Sequence, residues 1–140
     1  MMSLESTQQT MDAYMDALLT GGDFGQYFTD DVVWTTMENG QEVRGREAVR
    51  DFIAGFHTQS FDAHPELRSL TITDGRAALE ADFVGVHVRE LAGIPPTGAE
   101  VRLPYSIFYD LDDAGISALR AYIPLREMMA QLEAARSDAA

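Results

Sequence analysis

Helices gathered ahead of a run of hairpins predict an α+β domain, in which a curved, mostly antiparallel sheet buries one face against the helices. Three observations carry this. Apolar residues recur at helical spacing early in the chain, the spacing changes to two from His64 onward, and Asp-Gly and Gly/Pro-rich turns separate the two-spaced stretches. The 140 residues, 46% of them apolar, suit one domain spanning 1–140 with a single core, its ordered part about 6–132.

Ser6 and Gln9 have capping-box spacing, and Met11, Tyr14, Met15, Leu18 and Leu19 then follow a helical stripe until Gly21 and Gly22 stop it. Asp23 is expected to cap a short second turn bearing Phe24, Tyr27 and Phe28. The β-branched and aromatic run from Val32 to Thr36 reads as a strand. Glu38-Asn39-Gly40 supplies a turn and Glu42-Val43-Arg44 a short partner strand. Val49, Phe52, Ile53 and Phe56 mark a further helix by their 0, 3, 4, 7 spacing. Strands are expected near 66–73, 77–89, 100–111 and 116–123, as sequential antiparallel hairpins. Pro124 can open a last helix with Leu125, Met128, Met129 and Leu132, and the apolar-poor residues 133–140 are expected to fray.

Ten Lys and Arg against 23 Asp and Glu give a net charge of −13, which repels phosphate backbones and argues against a nucleic-acid partner. No apolar run approaches the roughly 20 residues of a membrane helix, and the first ten residues lack a basic region followed by an apolar one. No membrane partner is expected. The absence of cysteine excludes disulfides, a thiolate nucleophile and cysteine-ligated metals, and fits a cytoplasmic protein. His57, His64 and His87 lack metal-ligand spacing, so no metal is expected. Dinucleotide and Walker-type glycine loops are absent, so no cofactor is expected either.

Alternation sorts residues 77–89 into two faces. Ala77, Leu79, Ala81, Phe83, Gly85 and His87 share one, and the other carries Glu80 and Asp82, so the first set faces the interior. Apolar surroundings favour a neutral imidazole, which makes His87 a candidate general base; a core histidine bonded to a backbone carbonyl fits the same spacing. Tyr14 lies in the first helix's apolar stripe, where its hydroxyl either finds a protein partner or enters a cavity and polarises a carbonyl. Trp34 and Thr36 share one strand face, and the indole, if inward, gives a flat wall for a ligand ring.

The run from Gly85 to Gly98, with His87 followed by Gly93-Ile94-Pro95-Pro96-Thr97-Gly98, resembles the segment of SnoaL-like polyketide cyclases that carries a histidine and then Gly-Ile-Pro-Pro-Thr-Gly. The resemblance extends from Tyr14 and Gly22-Asp23 through Phe28-Thr29-Asp30-Asp31 and Gly45-Arg46-Glu47-Ala48 to Asp113-Ala114-Gly115-Ile116 and Gln131-Leu132. It implies the nuclear-transport-factor-2-like cone, a bent sheet wrapped around the helices with a deep apolar pocket, commonly as a homodimer. His87 matches the pocket histidine of these cyclases, but Ser106 stands where they carry an aspartate. In the related ketosteroid isomerases the oxyanion tyrosine corresponds to Tyr14, while the two aspartates fall on Thr36 and near Ser106. The water-activating set of limonene epoxide hydrolases, similar around 120–127, meets His87, Gly85 and Ala121, which disfavours that chemistry.

These likenesses imply a small-molecule acid–base enzyme, a cofactor-independent cyclase or isomerase. His87 would move a proton beside the carbonyl of a small apolar, cyclic or polyketide-like ketone. Tyr14, with Ser106, would hydrogen-bond the oxyanion; Trp34, Thr36, Phe56, Phe83 and Leu119 would shape the pocket. A non-catalytic carrier of the same fold is the alternative, and an epoxide hydrolase a second. Alternation over 101–111 turns Val101, Leu103, Tyr105 and Ile107 inward, whereas the family correspondence turns Ser106 and Phe108 inward; a bulge near Pro104 would reconcile the two.

Overall fold

The computed structural model describes residues 3–55 and 61–139. Helix α1 (Leu4–Thr20) leads through a short 3₁₀ turn (Phe24–Tyr27) into strand β1 (Phe28–Thr36). Strand β2 (Gln41–Arg44) and helix α2 (Arg46–Ala54) follow, then strands β3 (Phe61–Ala63), β4 (Glu66–Thr73), β5 (Arg76–His87), β6 (Glu100–Asp112) and β7 (Gly115–Tyr122), and helix α3 (Leu125–Ala139). Within the described residues no helix is long and apolar enough to cross a membrane.

The seven strands form one strongly curled half-barrel in the order β2-β1-β7-β6-β5-β3, with β4 pairing the other stretch of β5. Strand β5 is long enough to hold both: β4 covers Arg76 to Asp82, and β3 covers Gly85 to His87. Gly85 permits the second pairing, because a Cβ there would lie 3.2 Å from the Cβ of Phe61 and 3.3 Å from the Cα of Ala63. The α+β class and the curved sheet against helices are as the sequence predicts. One pairing departs from sequential hairpins, since β1 runs parallel to β7. Parallel neighbours need a long crossover, and here everything from β2 to β6 supplies it. Strand β3 was not anticipated; three residues are too few for alternation to register.

Several boundaries differ for local reasons. Helix α1 begins at Leu4, capped by Ser3 rather than by Ser6: the Ser6 amide donates to Ser3 Oγ at 3.0 Å. Asp23 makes no side-chain cap; its carbonyl accepts from Gln26 instead. Helix α2 spans Arg46–Ala54 and buries Val49 and Ile53 as its stripe requires, while Phe56 and His57 lie outside the described residues. Helix α3 continues to Ala139, past the point where fraying is expected at Glu133. Alanine favours a helix without needing burial, and Ala134 and Ala135 stand in that stretch.

The curl encloses two apolar clusters. The larger gathers Met11, Tyr14 and Met15 of α1 with Phe28, Val32, Trp34, Leu79, Ile107, Tyr109 and Leu119. The smaller joins Phe61, Phe83, Ile94, Val101 and Leu103 to Met128 and Leu132 of α3. On the outer face Asp82 is buried beside two arginines, Arg68 at 2.7 Å and Arg102 at 3.5 Å, although the sequence expects this part of β5 to meet water. Asp110 takes a two-pronged bond from Arg120, at 2.8 and 3.0 Å.

Candidate functional site

An apolar cavity lies between the two clusters, walled by Trp34, Phe83, Met128 and aliphatic side chains and lined also by three tyrosines, Tyr14, Tyr105 and Tyr109. Each has a definite origin. Tyr14 occupies the α1 stripe one turn after Met11, and its ring meets those of Phe24, Phe28 and Tyr109 at centroid distances of 6.2, 5.6 and 5.9 Å. Tyr105 and Tyr109 stand four residues apart on the inner face of β6, where alternation sends both the same way. The pairing of β5 with β6 runs without interruption from Arg76–Asp110 to Val86–Glu100. There is therefore no bulge at Pro104, and Ser106 and Phe108 point to the outer face. This corrects Ser106 as a pocket residue: unbroken alternation overrides the family correspondence.

Burial keeps the phenols protonated. It raises Tyr14 and Tyr109 well above the ordinary tyrosine value and pushes Tyr105 up to about 12. Their mutual repulsion as anions adds to the shift of Tyr14 and Tyr109, which marks them as neighbours. The Tyr109 hydroxyl is 1% exposed as a residue and has no hydrogen-bond partner among the described residues. Few buried polar atoms in folded proteins are left so. The cavity itself is tight, with about 40 Å³ open to the centre of a water molecule, space for roughly three waters. A ring-bearing ligand needs side chains such as Met128 or Phe83 to move.

The other sequence-predicted residues divide plainly. Tyr14, Trp34 and Phe83 line the cavity. Leu119 is fully buried beneath it, paired across the sheet with Trp34 and Tyr109, and is not part of its lining. Thr36 is buried, but its hydroxyl accepts the Trp34 indole N–H at 2.9 Å and serves the protein rather than a guest. His87 does face inward, as alternation predicts, and is 0% exposed, yet it lies against Phe61 of the smaller cluster rather than in the cavity wall. Its ring lies 5.6 Å from that of Phe61, which in turn meets Phe83 edge-on at 5.2 Å, so two phenylalanines connect the imidazole to the cavity. The His87 Nδ1 accepts the Thr97 amide at 3.2 Å and sits 3.1 Å from Thr97 Oγ1. Its Nε2 is buried without a partner among the described residues. Among the described residues no group of three or more acidic or histidine side chains is arranged to hold a metal.

Sequence reasoning passed over Tyr109 and gave Tyr105 no role. The signal was available, since inward alternation from Val101 reaches both. Thr97 was quoted only within a motif, because a loop folding back onto its own strand leaves no periodic trace.

The SnoaL-like domain model matches residues 11–119. No curated protein matches by sequence. Among solved structures, a protein from Xanthomonas campestris named as a polyketide cyclase superposes with a TM-score of 0.77 at 23% identity, over 92% of this chain and 98% of that one. AclR of Streptomyces galilaeus, named as a hydroxylase, gives 0.77 at 19% identity over 94% and 87%. A protein from Kribbella flavida named as a ketosteroid isomerase gives 0.68 at 18% over 88% and 81%. At these identities the likeness is one of fold.

Proposed function

This chain belongs to the SnoaL-like domain family, and from that premise we propose that it is a cofactor-independent cyclase or isomerase acting on a small cyclic or polyketide-like ketone. The observation that carries the reading is the Tyr109 hydroxyl, without a partner among the described residues, beside Tyr14 in an apolar cavity. A neutral phenol held in low dielectric donates to a carbonyl oxygen and donates more strongly once that oxygen gains enolate charge, which is differential stabilisation of the transition state. Tyr14 and Tyr109 are the donors, and Trp34 and Phe83 the apolar walls. One oxyanion donor is worth about 10²–10³ in rate. No carboxylate is among the described residues that line the cavity, so the α-proton passes to a hydroxide ion or buffer base from solvent, and a solvent proton replaces it while the phenols hold the oxyanion. His87 lies at the far side of Phe61, outside the cavity lining.

The test is α-proton exchange of a bicyclic ketone, β-tetralone, followed by proton NMR in D₂O. Exchange above the buffer rate that falls about 10²-fold or more in Tyr14→Phe is the expected result. A second reading, a non-catalytic carrier, is favoured by the same lack of a lining carboxylate among the described residues; binding with no exchange above buffer would establish it and remove the first. We also propose a homodimer through the outer sheet face, where Phe108 and Tyr122, 43% and 48% exposed, pair their rings at 5.7 Å. Sedimentation across a concentration series tests this, and a persistent monomer rejects it.

A further inference from the structure

The segment after β5 folds back so that Thr97 meets the ring ten residues before it. Two backbone bonds clamp the return: the His87 amide donates to Ala99 O at 2.9 Å, and the Gly98 amide donates to His87 O at 3.0 Å. Gly98, at a φ of 71°, takes the left-handed conformation that the return requires. Within this clamp the Thr97 amide lies 3.2 Å from His87 Nδ1. A backbone amide can only donate, so Nδ1 presents its lone pair, and the hydrogen of the neutral ring is on Nε2. The threonine hydroxyl agrees with this assignment. Its Oγ1 accepts the Ala99 amide at 3.2 Å, which leaves its own hydrogen free for Nδ1 at 3.1 Å. The opposite tautomer would set Nδ1–H against the Thr97 N–H and leave the hydroxyl hydrogen without that acceptor.

The outcome is a fully buried Nε2–H with no acceptor among the described residues. We infer that Thr97 is a positioning residue that fixes His87 as the Nε2–H tautomer, and that His87 donates a hydrogen bond to an acceptor atom of the ligand instead of taking its α-proton. This revises the general-base role expected from sequence. The ligand half of the inference rests on the reading proposed above; the tautomer half does not. A guest that satisfies both orphaned donors carries two acceptors, one for Tyr109 and one for His87, separated by an apolar portion that replaces the contacts of Phe61 and Phe83.

The decisive experiment is ¹⁵N NMR of the histidine-labelled full chain, free of ligand, at pH 7.5. A proton on Nε2 and a through-hydrogen-bond coupling between the Thr97 amide and Nδ1, both retained in Thr97→Ser, are the expected result. A proton on Nδ1, or an absent coupling, overturns the inference whether or not any ketone binds. With β-tetralone as the probe, His87→Ala should weaken binding at least about tenfold. His87→Gln, which restores an N–H but offers no imidazole base, should recover part of the loss. A glutamine variant as impaired as the alanine one sinks the donor role while leaving the tyrosine site standing. Failure of the wild type to bind the probe would count against the ligand half through the proposed function, and the NMR result would still decide the tautomer.

Discussion

The tyrosine end and the histidine end of the interior are both buried and both carry a polar atom without a partner among the described residues, yet they are assembled differently. Tyr14, Tyr105 and Tyr109 come from the regular faces of α1 and β6, so their convergence follows from helical and strand periodicity. His87 comes from the last residue of β5 and is oriented by an irregular return. Regular elements aim three similar donors at one place; a loop can select which of two nitrogens carries a hydrogen. On the proposed reading, the first end stabilises charge and the second orients the guest.

Phe83, shared by the cavity wall and the smaller cluster, gives the largest test of this division. Phe83→Ala removes the partition between the ends and should cost about 3–5 kcal/mol of stability by denaturant titration. Loss under about 1 kcal/mol would mean that the two clusters do not depend on a common wall. Tyr109→Phe should separate function from stability. Removing an unsatisfied buried hydroxyl recovers up to about 1–3 kcal/mol of desolvation cost, so the midpoint of thermal unfolding should hold or rise while ketone exchange falls. A clear fall in thermal midpoint would show that the hydroxyl has a structural partner.

Titration to high pH sharpens the contrast. The folded phenols lie above the ordinary tyrosine value of about 10, Tyr105 at about 12. A group raised in the folded state stabilises fully below its unfolded value, and that contribution is lost as pH rises through the folded one. Ultraviolet absorbance should therefore show these phenols ionising above about pH 12, together with the loss of circular dichroism. Ionisation near pH 10 with the fold intact would deny that the cluster is dry. The smallest effect lies outside both ends. Arg120 holds Asp110 below the usual carboxylate range, so its contribution is present above about pH 4 and fades as pH falls through the folded value. Asp110→Asn should cost at most about 1 kcal/mol at pH 7 and flatten the acid limb of the stability profile. A larger loss would tie the outer face to the interior.

Much of the fold was legible because its signals are local. The inward set of β5 from Ala77 to His87 follows from alternation alone, and the stripe of α1 delivers Tyr14 to the core. What was hidden depends on distant segments meeting. The parallel pairing of β1 with β7 has no local signature. The burial of Asp82 depends on Arg68 and Arg102 from two other strands. At the site, family correspondence pointed to Ser106, while the simpler rule of period two pointed one residue away, to Tyr105, and through it to Tyr109.

The tightness of the cavity bears on rates as well as on fit. With so little open room, a guest larger than a few waters waits for the walls to part, and a conformational step of that kind slows association. The same obstruction slows escape. On the proposed reading, a molecule once captured would survive gel filtration that strips weaker, faster-exchanging companions, and unfolding freshly purified protein and weighing what is released would identify it.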